Sequence, residues 1–327
     1  MRRPAPCIWA GLRLGLQTCV MLGAMAFGIM PVSAWERTQT CVPNAPSSVF
    51  ACEADQTAVP LAWTVACVDI HVNPANSSPI GSEDVVVALV MDSFEAWNLP
   101  EVSGLTLRVV GTTDETRVGF ARGCDEDANA NVVTFVEQDW PHGPQVVALT
   151  SVTYNFLTGH VLDADIEMNL DDYAWGNITS LQLLNRVMDL QNTLTHEVGH
   201  FVGLDHTREQ TFTGASPDEW IRTTMFARTE QGEVAKRTLE PDDIAGLAAA
   251  YGNAVLDECT APARAFFSQA DAAEPGTVCE DPGCSRCDTA RTSNHGSLPG
   301  WLHVFAIAAC AAVRSGAARR RWPAAPR

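Results

Sequence analysis

Apolar residues return at intervals of three and four along some stretches of this 327-residue chain and at intervals of two along others, and the two periods separate helices from strands. Between Ser82 and Asn98 the positions Val86, Val90, Phe94 and Trp97 form one stripe. Ser82 stands before it as an N-cap, Glu83 and Asp84 occupy the first turn where the helix dipole favours carboxylates, and Leu99-Pro100 closes the helix. Leu105 to Val110 alternates and predicts a strand; Asn131 to Val136, rich in β-branched residues, predicts another. Val146 to Tyr154 and Val161 to Asn169 are two further runs, joined by Leu157-Thr158-Gly159 as a hairpin. Leu190, Leu194, Val198 and Phe201 mark a second helical stripe behind Asp189 as N-cap, and leave its other face to polar residues. A last helix is predicted in LEPDDIAGLAAAYG. Pro241 suits its first turn, Asp242 and Asp243 its positive end, Ile244, Leu247 and Tyr251 share one side, and Gly252 ends it.

Both ends of the chain break these periods. Arg2 and Arg3, an apolar stretch from Leu14 to Ile29 and the small residues Val32-Ser33-Ala34 read as an export signal over 1–34, with the mature chain starting near Trp35. At the other end Gly283-Cys284-Ser285 precedes a polar stretch, the apolar run Leu298 to Val313 and the cluster Arg319, Arg320 and Arg321. That order predicts attachment to a membrane through the tail, although the run is short for a full helical span. The expected organisation is one domain over 35–253, a cysteine-containing linker or stalk with a sorting motif over 254–297, and a hydrophobic segment with an Arg-rich tail over 298–327.

Charge and cysteine narrow the function. The chain holds 39 acidic residues against 21 basic ones, a net charge of −18, and most of the acidic excess lies between the two ends. Such a surface repels phosphate backbones, so nucleic acid is excluded as an expected partner. Of the 11 cysteines, Cys7 and Cys19 fall in the signal and Cys310 in the tail. Export favours disulfides, with Cys41, Cys52, Cys67 and Cys124 expected to pair among themselves and Cys259 with Cys279; spacing alone does not set the connectivity. Cys284-x-x-Cys287 has neither a βαβ context nor a second pair and is assigned to the sorting motif.

The chemistry is concentrated in residues 196 to 206, HEVGHFVGLDH. Residues four apart on a helix are separated by about 400°, so His196 and His200 stand one turn apart on one face and can ligate the same ion. Gly203 permits the left-handed conformation that ends a helix, after which the chain turns back and delivers His206 as a third nitrogen. Three neutral imidazoles leave a fourth position open, the arrangement of a catalytic rather than a structural Zn²⁺ site. Glu197 beside them is the expected general base.

Several segments in addition to this motif resemble the metzincin clan of zinc peptidases and, within it, bacterial matrixin-like enzymes. The resemblance covers about residues 61 to 252. FEAWN at 94–98 is similar to the end of the family's first helix, DADIEMN at 163–169 to the strand before its active-site helix, and DDIAGLAAAYG at 242–252 to its closing helix, in the family order. It implies an α/β (α+β) zincin fold, a twisted five-stranded mixed sheet with the active-site and first helices packed against it. It also implies that Ala148 to Tyr154 form an edge strand receiving a polypeptide substrate by strand addition. Met225, within Arg222-Thr223-Thr224-Met225-Phe226, matches the methionine turn under the zinc. Two departures stand out: TREQTFTGASPDEWIR is inserted before that turn, and no proline follows two residues after Met225. The tail resembles the MYXO-CTERM type of sorting signal.

Other polar residues carry weaker signals. Asp163, Asp165 and Glu167 alternate, so they share one strand face where they could hold structural Ca²⁺, as the related strand does in matrixins; a solvated face is the competing reading. His142 and His160 read as surface histidines, with a second, structural zinc as the alternative. Cys41-Val42-Pro43 faintly resembles the propeptide segment that blocks the zinc in matrixins, and a disulfide is the expectation for Cys41. The functional expectation is an exported, surface-anchored zinc endopeptidase. Its alternative is a surface binding or adhesion protein that keeps the fold as a scaffold.

Overall fold

The computed structural model describes residues 34–42, 52, 54–120, 129–179, 186–207, 221–252, 254 and 256, with the backbone of 302–311. Residues 1–33 of the export signal, nearly all of the 254–297 linker, residues 208–220 of the inserted segment and Cys124 lie outside the described residues. Two short strands, β1 (Glu36–Arg37) and β2 (Gln39–Val42), precede β3 (Thr57–Pro60), β4 (Cys67–Val72) and helix α1 (Glu83–Glu95). Next come β5 (Thr106–Thr112), β6 (Asn131–Val136), β7 (Val146–Asn155) and β8 (Val161–Asn169). The short pair β9 (Trp175–Gly176) and β10 (Met188–Asp189) leads into α2 (Leu190–Phe201) and β11 (Leu204–Asp205). The chain continues through β12 (Arg228–Thr229), a 3-10 turn over Ala235–Arg237, α3 (Pro241–Tyr251) and β13 (Leu302–Ala311).

Five of these strands make a mixed sheet in the order β7-β8-β6-β4-β5. β8, β6, β4 and β5 run parallel, and β7 runs antiparallel to β8 through the hairpin at Gly159. The expected mixed α/β organisation with five core strands is therefore observed, but β7 is not a bare edge: β13 pairs with it and β12 pairs with β13. β6 keeps the predicted bounds, whereas β5 begins one residue later than Leu105 and continues to Thr112, since its pairing with β4 extends to Val72↔Thr112.

The helices follow from their stripes. Val86, Val90, Phe94 and Trp97 are each at most 1 % exposed, and a fully buried side chain of this size contributes roughly 1.5–3 kcal/mol. Phe94 meets Phe201 edge to face at 5.4 Å, and the Trp97 indole Nε1 donates to the Thr195 carbonyl at 2.9 Å, so α1 is keyed to α2. Ser82 holds the N-cap position of α1 without a side-chain cap bond. Asp189 does cap α2, accepting from Asn192 N at 2.9 Å, and it also pairs with Arg237.

In α2 the face that carries the histidines is buried as well as the apolar stripe. His196 and His200 are as buried as Leu190 and Val198, because α1, the sheet and the 3-10 turn pack against the helix. Its last carbonyls, which no longer have intrahelical partners, accept from side chains of other elements. Trp63 Nε1 donates to Phe201 O and Tyr251 Oη to Val202 O, each at 2.9 Å. Glu240 and Asp243 form a reciprocal capping box on α3, and Gly252 closes that helix with right-handed geometry (φ −63°), so no left-handed turn ends it. Cys41 and Cys52 are joined and Cys67 is also disulfide-bonded, in accord with an oxidising compartment. Among the described residues no helix is long and apolar enough to cross a membrane, and Leu302–Ala311 from the apolar tail forms strand β13.

Candidate metal centre

Helix α2 and the turn after it bring the three histidines together. One helical turn separates His196 from His200, and their Nε2 atoms lie 3.2 Å apart. Gly203 takes φ +86°, and a Cβ there would stand 2.5 Å from the Leu61 carbonyl oxygen, so both the turn and the close approach require glycine. The backbone then returns through β11, and His206 Nε2 arrives 3.2 Å from His196 Nε2 and 3.1 Å from His200 Nε2. Arg37 braces this turn by donating to the Gly203 and Leu61 carbonyls, with β1 paired to β11 at its side.

The protonation pattern follows from what the other ring nitrogens touch. His196 Nδ1 lies 2.6 Å from the Thr224 carbonyl and His200 Nδ1 2.8 Å from the Leu204 carbonyl. A carbonyl only accepts, so each Nδ1 carries the proton and each Nε2 turns a lone pair toward the centre. Burial lowers the pKa of His196 and His200 well below the ordinary histidine range, with mutual repulsion adding to it. His206 is pushed down to about 4 by burial and by the nearby Lys236 ammonium. The inward lone pairs of His196 and His200 repel unless a proton or a cation sits between them. Tetrahedral ligands at about 2.0–2.1 Å from zinc are separated by about 3.3 Å, close to the triangle observed. These three histidines are the one group among the described residues with ligand atoms gathered closely enough to hold a metal ion.

Glu197 is fully buried and its Oε2 accepts from the Thr150 hydroxyl at 2.7 Å, with the same hydroxyl 3.1 Å from the Glu197 carbonyl. This bond fixes the carboxylate against β7. Met225 lies under the centre at 1 % exposure, where a Cβ at Gly199 would collide with its Sδ and stand 2.9 Å from Trp97 Cζ2. Gly199 is thus the small residue that lets Met225 pack beneath the histidine helix. The Asp243 carboxylate accepts from Thr224 N at 2.8 Å, Met225 N at 3.1 Å and Glu240 N at 2.9 Å, binding the turn to α3. After Met225, Lys236 is buried with its Nζ donating to the Phe226 and Arg228 carbonyls at 2.9 and 2.5 Å, and its backbone N bonds to Asn192 on α2.

His196, His200 and His206 thus come together, with Glu197 on the same helix as the first two and Met225 packed against Gly199. Asp163, Asp165 and Glu167 share a strand but do not close into a metal-sized group. Asp165 accepts from Gly119 N and Val132 N at 2.6 and 2.9 Å, and Glu167 lies 3.0 Å from His142 Nε2. Asp163 and Asp165 are both buried, and both titrate above the ordinary carboxylate range, chiefly through burial and, for Asp163, through the Asp165 charge. His142 packs against Trp140, while His160 takes part in the Asn155 and Ala62 backbone pairings; neither joins a second histidine. Thr150, Asp243, Lys236 and Arg37 were not singled out from sequence. Only Asp243 left a trace there, as the second Asp of a first helical turn; the others depend on strand register and chain return. The chain matches no family model, and no curated protein matches it either.

Proposed function

We propose that the chain is an exported zinc endopeptidase of the metzincin type. The reading is carried by one observation: three histidine Nε2 atoms at 3.1–3.2 Å, those of His196 and His200 free of a proton on the inner side, with the buried Glu197 carboxylate on the same helix as these two. Imidazole ligands suit several transition metals, and three of them with an open position suit zinc in particular. When bound there, zinc acidifies a water toward a pKa of about 7 and polarises a substrate carbonyl.

The chain supplies the rest. Glu197 receives the proton released as the water's oxygen attacks the carbonyl carbon, and returns it to the leaving amine as the C–N bond breaks. Thr150 donates to the Glu197 carboxylate and holds it in place throughout. The Thr224 and Leu204 carbonyls keep His196 and His200 in one tautomer and one ring orientation, which raises their basicity as ligands. Polypeptide is the substrate class because an extended strand fits alongside β7, which supplies main-chain hydrogen bonds that do not depend on side-chain identity.

Glu197→Gln tests the reading. It keeps the shape and the zinc but cannot take a proton, so cleavage of a peptide library falls roughly 10²- to 10⁴-fold while the zinc content stays at one ion per chain. Chelation abolishes cleavage in the parent, and added zinc restores it. A zinc-loaded protein that still cleaves nothing once Leu302–Ala311 is displaced from β7 would overturn the enzyme and favour the surface-binding alternative.

A further inference from the structure

An end strand exposes a row of N–H and C=O groups that invites another strand. On β7 this row is taken by the chain itself. β13 runs antiparallel along it from Leu302↔Asn155 to Ala309↔Ala148, and its far end runs parallel to β12 at Arg228↔Cys310 and Thr229↔Ala311. β7 therefore forms one wall of a slot that one extended segment fills, and β12 closes the far end of its other side. The slot passes the metal centre. Thr150, whose hydroxyl holds Glu197, is the register partner of Ile307, and β12 begins three residues after Met225.

We propose that Leu302–Ala311 is an intramolecular occupant of the substrate slot, excluding other polypeptides by taking the same main-chain hydrogen bonds. The inference rests on the peptidase reading for the word substrate; the occupancy itself does not. The register is continuous over eight residues before a single irregularity between Ala309 and Cys310, so the pairing is a full strand and not a local touch. The 50 residues between Tyr251 and Leu302 give ample reach, at about 3.3 Å per extended residue, for the segment to enter or leave while the sheet stays intact. An occupant tethered to the same chain acts at a fixed effective concentration, so protein dilution does not relieve it.

The test uses the full chain in its Glu197→Gln form, with and without the added pair Ile307→Pro and Ala308→Pro. Neighbouring residues of a strand direct their N–H groups to opposite sides, so of two consecutive prolines one removes a donor toward β7. Amide hydrogen exchange is read on the β7 amides that face β13, with the amides of β6 as the measure of an intact fold. The expected result is at least about tenfold faster exchange in β7 with β6 unchanged. Equal exchange in β7 would overturn the proposal. In the Glu197 background the same two prolines raise the rate of peptide cleavage, and a rate unaltered by them would remove the inhibitory role. Faster β7 exchange in a protein that never cleaves peptide would instead leave the occupancy standing and sink the peptidase reading.

Discussion

Thr150 shows how much one hydroxyl can decide. Its bond to the buried Glu197 carboxylate is charge-assisted, the kind worth about 1.5–3 kcal/mol. Thr150→Val keeps the volume and removes the donor. We expect kcat/KM for peptide cleavage to fall roughly ten- to hundredfold with zinc content unchanged, measured by steady-state kinetics beside metal analysis. Asp163 and Asp165 make the second prediction at this scale. Burial raises both in the folded chain, Asp163 further because of the Asp165 charge, while Arg117 and Glu167 act on them in opposite senses. The folded pair retains a proton that the unfolded chain releases, so this contribution to stability is complete below the ordinary carboxylate range and is lost as pH rises through the raised folded values. Thermal unfolding should show Tm decreasing from pH 5 to pH 9, and Asp163→Asn should flatten that decrease. An amide replaces the protonated acid as donor to Asp165 without titrating.

At the scale of elements, the metal centre depends on a helix that carries none of its ligands. α3 presents Asp243 to the backbone of Thr224 and Met225, and the Thr224 carbonyl in turn orients His196. Asp243→Asn removes the charge from three accepting contacts and turns an N–H₂ toward one of them. The expected result is a loss of about 2–3 kcal/mol in urea unfolding and zinc binding weakened roughly tenfold. Asp242→Asn, whose carboxylate accepts from Ala34 N, should leave zinc affinity unaltered. The helices and β6 were legible in sequence because their apolar period and caps are local. The extra length of β5 was not, since pairing with β4 sustains it beyond its own alternation. The full burial of α2 was also hidden: one apolar stripe reports one neighbour, and this helix has neighbours on every side.

The whole molecule adds constraints that no element contains. Cys41 and Cys52 close a loop 11 residues apart in sequence, and such a loop restricts the unfolded chain by about 3 kcal/mol in the chain-entropy account. Replacing both by serine should lower unfolding stability by about that amount, with the pairing of β2 and β3 the first to open in hydrogen exchange. Sequence by itself determined the histidine triangle, its glutamate and the order of the main elements, because a helical repeat of 3.6 residues and one glycine turn place those groups by short-range geometry. Tertiary structure alone decided which hydroxyl holds Glu197, which carboxylate holds the methionine turn, and that the apolar tail is the strand beside β7. Each of those joins residues from 18 to more than a hundred positions apart, and a local pattern carries no record of the register in which distant strands pair.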